Sequence, residues 1–354
     1  MSDLFTEYVL KGIKIKNRVV LPPMVSSFGS GKSGGFAGDG HVKHYEARAK
    51  GGTGLIIVEA TCVKEDGRLA GSQLGLWCDG QIEGLRKISE ACHNHGAVVL
   101  IQLHHAGLKV SPEVSVEPVS SSDYHENDLS ARALTIEEIH GIREDFVNAA
   151  VRARKAGFDG IELHGAHGYL LSQFMSPLVN KREDEYGGSL ENRARLAVEI
   201  LKSVRGKTSS DFILGYRMGG NEPTLEDGIK IAEILEKSGA DLLHVSTGMD
   251  SKNPPAVPEG FDYNWIVYCG TEIKKHVNVP VIAVNGIKTP QRANALVSEG
   301  LADFAAIGKP LLVDPLWTDK AVNGGGILYC LGCKACFRFK SENLCPRYIS
   351  ASAV

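Results

Sequence analysis

The chain has 354 residues, 43% of them hydrophobic and 23% charged, with a formal net charge of −3 at pH 7. Such a balance gives no reason to expect nucleic acid or an anionic membrane surface as a partner. No apolar run reaches the ~18–20 residues that span a bilayer, and Met1–Glu7 lacks the basic and apolar regions of a signal peptide, so a cytoplasmic globular protein is expected.

A first predicted strand, Val19–Met24, leads into Gly29-Ser30-Gly31-Lys32-Ser33-Gly34-Gly35. The Gly-Lys-Ser triplet resembles part of a nucleotide phosphate loop. Ser26 and Ser27 stand where that loop needs its first glycine, so the segment reads as a flexible connection. Strands are predicted next at Gly54–Ala60 and Val98–Leu103. Thr135-Ile136-Glu137-Glu138 has the form of a capping box, in which the Thr hydroxyl and the Glu carboxylate serve each other's backbone N–H groups. Ile139, Ile142, Phe146, Ala149 and Ala150 then fall near helical spacing. Ala156–Gly160 stops that helix and turns into a strand at Gly160–His164.

Strands at Ile213–Met218 and Leu242–Thr247 flank a second capped helix, which opens at Thr224-Leu225-Glu226-Asp227 and ends near Ser238-Gly239. Val281–Val284 and Phe304–Gly308 complete eight runs rich in Val, Ile and Leu, without strict alternation. That pattern suits parallel strands buried on both faces. Eight strands alternating with helices predict an α/β fold, specifically a (β/α)8 TIM barrel over residues 1–320. No G-x-G-x-x-G follows the first strand, which removes the main support for a doubly wound dinucleotide-binding sheet. Residues 321–354 form a short Cys-rich C-terminal extension.

Polar groups at the end of a barrel strand point into the mouth. The apolar run Phe158–Leu163 ends in His164 and His167, with Tyr169 just beyond. Two imidazole N–H groups there suit an oxygen that gains negative charge during a reaction. A metal site completed by His104 and His105 is the alternative, since neutral imidazole ligates zinc. Asn285-Gly286 and Gly308-Lys309 follow strands seven and eight, where barrels commonly bind phosphate; glycine permits close approach and lysine adds charge. Cys62, Cys78, Cys92 and Cys269 are scattered, as small buried residues often are. Cys330, Cys333, Cys336 and Cys345 instead crowd the tail. In a cytosolic chain that density favours an iron–sulfur cluster or tetrahedral zinc over disulfides.

The run Ile161-Glu162-Leu163-His164-Gly165-Ala166-His167-Gly168-Tyr169-Leu170-Leu171-Ser172-Gln173-Phe174 and the segment Asn180–Arg193 resemble the old yellow enzyme family of FMN-dependent ene-reductases. The resemblance runs from about Leu4 to Pro315. It implies FMN at the mouth, with Pro23, Met24 and Val25 after the first strand and Ala60 after the second beside the flavin. Gln102 would hold the polar flavin edge, and Arg217 would lie near N1 and O2. Gly286, Gly308 and Lys309 would take the phosphate, Lys309 standing where arginine is more usual. Hydride would pass from NADH or NADPH to flavin N5, and then to the β-carbon of a small enone or enal. His164 and His167 would hold the carbonyl oxygen, while Tyr169 or water supplies a proton.

There are departures from the family pattern. Val25 replaces a Thr or Cys that tunes the flavin, Ser26, Ser27 and Phe28 occupy a region where one subgroup has a tyrosine, and Leu108 stands where Arg is frequent. The tail spacing resembles the [4Fe–4S] segment of dienoyl-CoA reductases and trimethylamine dehydrogenases, with a shorter gap before Cys345. Those relatives continue into a further nucleotide-binding region, whereas this sequence ends at Val354. An electron-transfer subunit needing a partner chain stands beside the ene-reductase as an alternative, with a metal-dependent barrel hydrolase a more distant one. Assembly as a homo-oligomer is left open, as are the substrate and the choice between NADH and NADPH.

Overall fold

The computed structural model describes residues 3–26, 34–126, 128–249, 252–336, 338 and 344–347. Ser27, Phe28 and most of the Gly29–Gly35 segment lie outside the described residues. Eight parallel strands close into a barrel: β1 (Val19–Leu21), β2 (Leu55–Cys62), β3 (Val98–His104), β4 (Gly160–Gly165), β5 (Ile213–Gly219), β6 (Leu242–Ser246), β7 (Val281–Ala283) and β8 (Phe304–Ala306). Each is hydrogen-bonded to its sequence neighbour, and β8 returns to β1.

The predicted strands are all present, with corrected ends. β1 stops at Leu21 rather than Met24, because Pro22 and Pro23 carry no N–H for the ladder. β7 stops at Ala283 and β8 at Ala306, short of the Asn285-Gly286 and Gly308-Lys309 turns. β2 runs past Ala60 to Cys62, with a register shift between Val58 and Thr61. Gln102 lies two residues before the end of β3 at His104, and Arg217 two before the end of β5 at Gly219.

Alternation along each strand separates two cores. Val20, Leu55, Ile57, Leu100, Ile213, Leu242, Ile282 and Phe304 pack together inside the barrel. A hairpin of Tyr8–Leu10 and Ile13–Ile15 adds Leu10 and Ile15 to that inner cluster. Their neighbours Val19, Leu21, Ile56, Val58, Val99, Ile101, Ile161 and Leu163 point outward, into the larger core under the helices. The Ile136–Lys155 helix begins with the expected capping box: Thr135 N donates to Glu138 at 2.9 Å and Glu138 N donates to the Thr135 hydroxyl at 3.2 Å. Ile139, Ile142, Phe146, Ala149 and Ala150 are all buried on its inner face. Among the described residues no helix is long and apolar enough to cross a membrane.

The segment Asn180–Arg193 braces the loop that follows β4. Asn180 Nδ2 donates to the carbonyls of Phe174 and Tyr186, at 2.7 and 2.8 Å. Arg182 reaches the carbonyls of Ser121 and Leu134 and pairs with Asp184. Arg193 closes the loop on the carbonyls of Met175 and Gly188. These side chains satisfy backbone groups that would otherwise be buried unpaired, which fixes the chain just beyond His164 and His167.

Candidate active site

Above the apolar floor, the inward positions of the strands become polar. Gln102 on β3, Glu162 on β4 and His244 on β6 form one layer; His104, His164, Arg217 and Ser246 stand at or above it. The Glu162 carboxylate is buried and accepts from Gln102 Nε2 at 2.8 Å. His244 Nδ1 lies 2.8 Å from its other oxygen. Burial, reinforced by the Arg217 charge, lowers the His244 pKa, so a neutral imidazole donates its Nδ1–H to the carboxylate.

Arg217 is only 7% exposed, and its Nε has no acceptor among the described residues. Among the described residues its guanidinium makes no ion pair. Burial lowers its pKa while nearby Glu162 opposes that change. A buried cation without a partner is costly, and an anionic group brought by a ligand would relieve that cost.

His164 and His167 are brought together, though in contact with each other rather than aimed at one open point. His164 Nε2 lies 2.9 Å from His167 Nδ1. His167 Nε2 lies 2.7 Å from Ser246 Oγ, and His164 Nδ1 lies 3.0 Å from His104 Nδ1. His167 adopts a left-handed backbone conformation (φ 61°), anchored by its N–H on the Thr247 carbonyl at 3.0 Å. Such a conformation is uncommon outside glycine, and it turns the imidazole back toward His164. Gly165 is required by close approach, since a Cβ there would sit 2.1 Å from the Tyr216 hydroxyl.

Tyr169 packs edge-on against His104 and His164, with ring centroids 4.5 and 4.9 Å away. Lys109 Nζ donates to the His167 carbonyl at 2.7 Å and lies 5.3 Å from the Tyr169 ring centroid. Burial lowers the His104 pKa to about 3 and those of His164 and His167 well below the ordinary 6.5. The whole set is therefore neutral at physiological pH. Burial raises the Tyr169 pKa, which keeps its hydroxyl protonated.

A cavity of about 430 Å³ opens beside Arg217, within the range of small-molecule and cofactor sites. Pro23, Met24, Gly286, Gly308 and Lys309 also line it. Asn285 and Gly286 have φ of 95° and 73°, so the backbone turns sharply under the cavity. Lys309 is exposed there and has no hydrogen-bond or ion-pair partner among the described residues. A partnerless buried cation, a free ammonium and close-approach glycines fit FMN. Val25, Ala60 and Gln102 do not line this cavity. The Ala60 carbonyl accepts from Gln73 Nε2, and the Gln102 amide N–H is taken by Glu162.

Near Ala60 lies Glu59, which the sequence did not single out. Its carboxylate accepts from Ser26 N at 2.7 Å and Ser26 Oγ at 2.6 Å, tethering the segment after β1. Burial raises its pKa to about 7. Glu162, His244, Ser246 and Lys109 were likewise missed; stepping back two residues along β4 from His164 would have found Glu162.

Cys330, Cys333, Cys336 and Cys345 line a single pocket, together with Lys309, Leu312 and Val313. Even so, among the described residues no group of three or more His, Cys, Asp or Glu is arranged to hold a metal ion. That statement also covers the alternative site of His104, His105, His164 and His167. His105 points elsewhere and accepts from Gly107 N at 3.1 Å, while the other three rings join in a hydrogen-bonded row that ends on Ser246.

The sequence matches the NADH:flavin oxidoreductase / NADH oxidase family over residues 3–325. It is 41% identical over 344 residues to an NADH oxidase of Thermoanaerobacter brockii, which covers 94% of this chain but 52% of that protein. The chain thus spans about half the length of that relative. Identity to an NADPH dehydrogenase of Halalkalibacterium halodurans is 40% over 323 residues, covering 90% of this chain and 93% of the other. Among solved structures, the old yellow enzyme homologue from Zymomonas mobilis superposes with a TM-score of 0.79 at 25% identity, covering 96% of this chain and 99% of that one.

The neutral histidines make stability pH-dependent. A histidine whose folded pKa is depressed contributes stability that is present above 6.5 and lost as pH falls toward its folded value, here about 3 for His104. Glu59 and Glu222, both raised to about 7 by burial, act in the opposite sense: their contribution is present below 4.5 and lost as pH rises through 7. The contrast between variants separates the two. Urea unfolding of His104→Leu between pH 6.5 and 4 should show a stability slope smaller than wild type by about 1 kcal/mol per pH unit. Parallel slopes would mean that His104 is not held neutral.

Proposed function

This chain belongs to the NADH:flavin oxidoreductase / NADH oxidase family, the old yellow enzymes, and from that premise we propose that it reduces the activated C=C bond of an α,β-unsaturated carbonyl compound with NADH or NADPH. FMN, when bound, would supply the two-electron hydride chemistry that links the nicotinamide to the substrate C=C bond. The observation that carries this proposal is the partnerless Arg217 guanidinium in the wall of the 430 Å³ cavity. Reduced flavin is anionic at its N1–C2=O edge, and a permanent cation stabilises it there.

The remaining roles follow from charge and reach. Gly286 and Gly308 would let the backbone approach the FMN phosphate, and Lys309 would neutralise it. His164 and His167 donate neutral N–H bonds to the substrate carbonyl as its oxygen becomes enolate-like. Donors that carry no charge of their own can be tuned to that developing charge without a competing titration. Tyr169 holds the proton destined for the α-carbon, its ring fixed by Lys109 and the two histidines behind it.

A second proposal concerns the tail: the barrel, residues 1–320, would carry the flavin and the extension, 321–354, a [4Fe–4S] cluster. It is supported by four thiols lining one pocket that shares Lys309 with the flavin cavity. Four thiolates suit either a cubane or a tetrahedral zinc ion. If bound, the cluster would supply single-electron exchange, as in an electron-transfer subunit.

Two measurements test these proposals. His164→Ala and His167→Ala should retain FMN and be reduced normally by the nicotinamide. Their reoxidation by an enone such as cyclohexenone should slow by about 10²–10³-fold, the usual effect of losing one oxyanion donor. Rapid mixing separates the half-reactions; unchanged enone-driven reoxidation in the double variant would remove the ene-reductase mechanism. Second, anaerobically purified protein should show a flavin spectrum with about four iron and four sulfide atoms per chain. Flavin without iron or sulfide would leave the tail as a docked, metal-free segment.

A further inference from the structure

We propose that His104 is a positioning residue that fixes the tautomer of His164, by donating its Nδ1–H to His164 Nδ1 and so leaving the His164 proton on Nε2, the edge that meets substrate. The proposal rests on the ene-reductase reading for its catalytic consequence, though not for the tautomer itself.

Four groups form one hydrogen-bonded row: His104 Nδ1 to His164 Nδ1 at 3.0 Å, His164 Nε2 to His167 Nδ1 at 2.9 Å, and His167 Nε2 to Ser246 Oγ at 2.7 Å. Burial keeps all three rings neutral, so each has one ring proton to place. Each nitrogen-to-nitrogen contact needs one proton, and only two orders satisfy both. In the first, His104 Nδ1, His164 Nε2 and His167 Nε2 carry the protons, and Ser246 Oγ accepts the last bond. In the second, the Ser246 hydroxyl donates to His167 Nε2, and the protons sit on His167 Nδ1, His164 Nδ1 and His104 Nε2.

The two orders differ at the closed end of the row. His104 Nε2 is buried and has no hydrogen-bond partner among the described residues. The second order strands a buried N–H there, whereas the first strands only a lone pair. Orphaned buried N–H groups are rarer in folded proteins than under-used acceptors, so the first order is favoured. The chemical consequence is direct. In the first order His164 and His167 both present Nε2–H, and a substrate oxygen can draw on both by displacing His167 Nδ1 and Ser246. In the second order His164 spends its proton on His104 and offers substrate a bare Nε2, which repels a carbonyl oxygen. The partner of one ring nitrogen thus sets what the other can do.

Position 104 suits this task. It lies two residues beyond Gln102 on β3, facing inward, where Tyr169 closes over it edge-on. Water has no access to Nδ1 to substitute for the donor, since His104 is fully buried.

Nitrogen-15 NMR of histidine-labelled, FMN-loaded protein reads the tautomers without enone chemistry, with the His164 signals identified by their loss in His164→Gln. In the native protein His164 should show a protonated Nε2 and a bare Nδ1. In His104→Leu a fraction should move to Nδ1–H, and enone-driven reoxidation should fall roughly 10–100-fold, the range for losing a partner that orients a functional histidine. Flavin reduction should be unchanged. His104→Asn, whose side-chain N–H stands where Nδ1–H stood, should restore both tautomer and rate, which a merely space-filling role would not predict. A native His164 protonated on Nδ1 overturns the proposal, as does a His104→Leu variant with native tautomer and native reoxidation. The assigned tautomer together with undiminished enone turnover in His164→Ala supports the His104 assignment and counts instead against the ene-reductase reading.

Discussion

A guanidinium buried near the end of a barrel strand, with no ion-pair partner among the described residues, is the constraint on which the mouth of this protein depends. Taking a charge out of water is costly unless something compensates it. Glu162 compensates in part from one layer below, and it is itself fixed by Gln102 and His244. The Arg217 charge in turn adds to burial in depressing the pKa of His164, His167 and His244. One permanent cation surrounded by neutral N–H donors is thus the electrostatic pattern of the site. Under the proposed function, that pattern would serve negative charge gained on the flavin and on the substrate oxygen.

The closed barrel makes that pattern possible. Parallel strands with a two-residue period stack an apolar floor of Val20, Leu55, Leu100, Ile213, Leu242 and Phe304 under the polar layers. A rigid floor holds the buried network in one arrangement. The Asn180–Arg193 segment does the same from the side, spending its polar side chains on backbone carbonyls. It fixes the chain around Phe174 and Met175, a few residues beyond His167.

Much of this was legible in the sequence, and the rest was hidden for identifiable reasons. The eight apolar runs and the capping box at Thr135 were visible because burial on both faces and helix capping leave local patterns. The strand ends were not, since the apolar runs continue past the last ladder bond at Leu21, Ala283 and Ala306. Gln102 was placed on the correct strand, yet its amide is turned toward Glu162, sixty positions away in sequence. His104 was visible only as a candidate ligand. A sequence shows which residues could supply lone pairs, while only the fold shows that these rings face one another. The four tail cysteines were legible as a group, and their common pocket follows the grouping, but no local pattern specifies how closely thiols approach.

The most direct test of Arg217 as the charge that holds reduced flavin is the midpoint potential of the bound FMN in Arg217→Met against the native protein. Loss of a cation beside N1 and O2 destabilises the anionic reduced form, so the potential should fall. An unchanged potential, with FMN still bound, would contradict the placement of the flavin against Arg217.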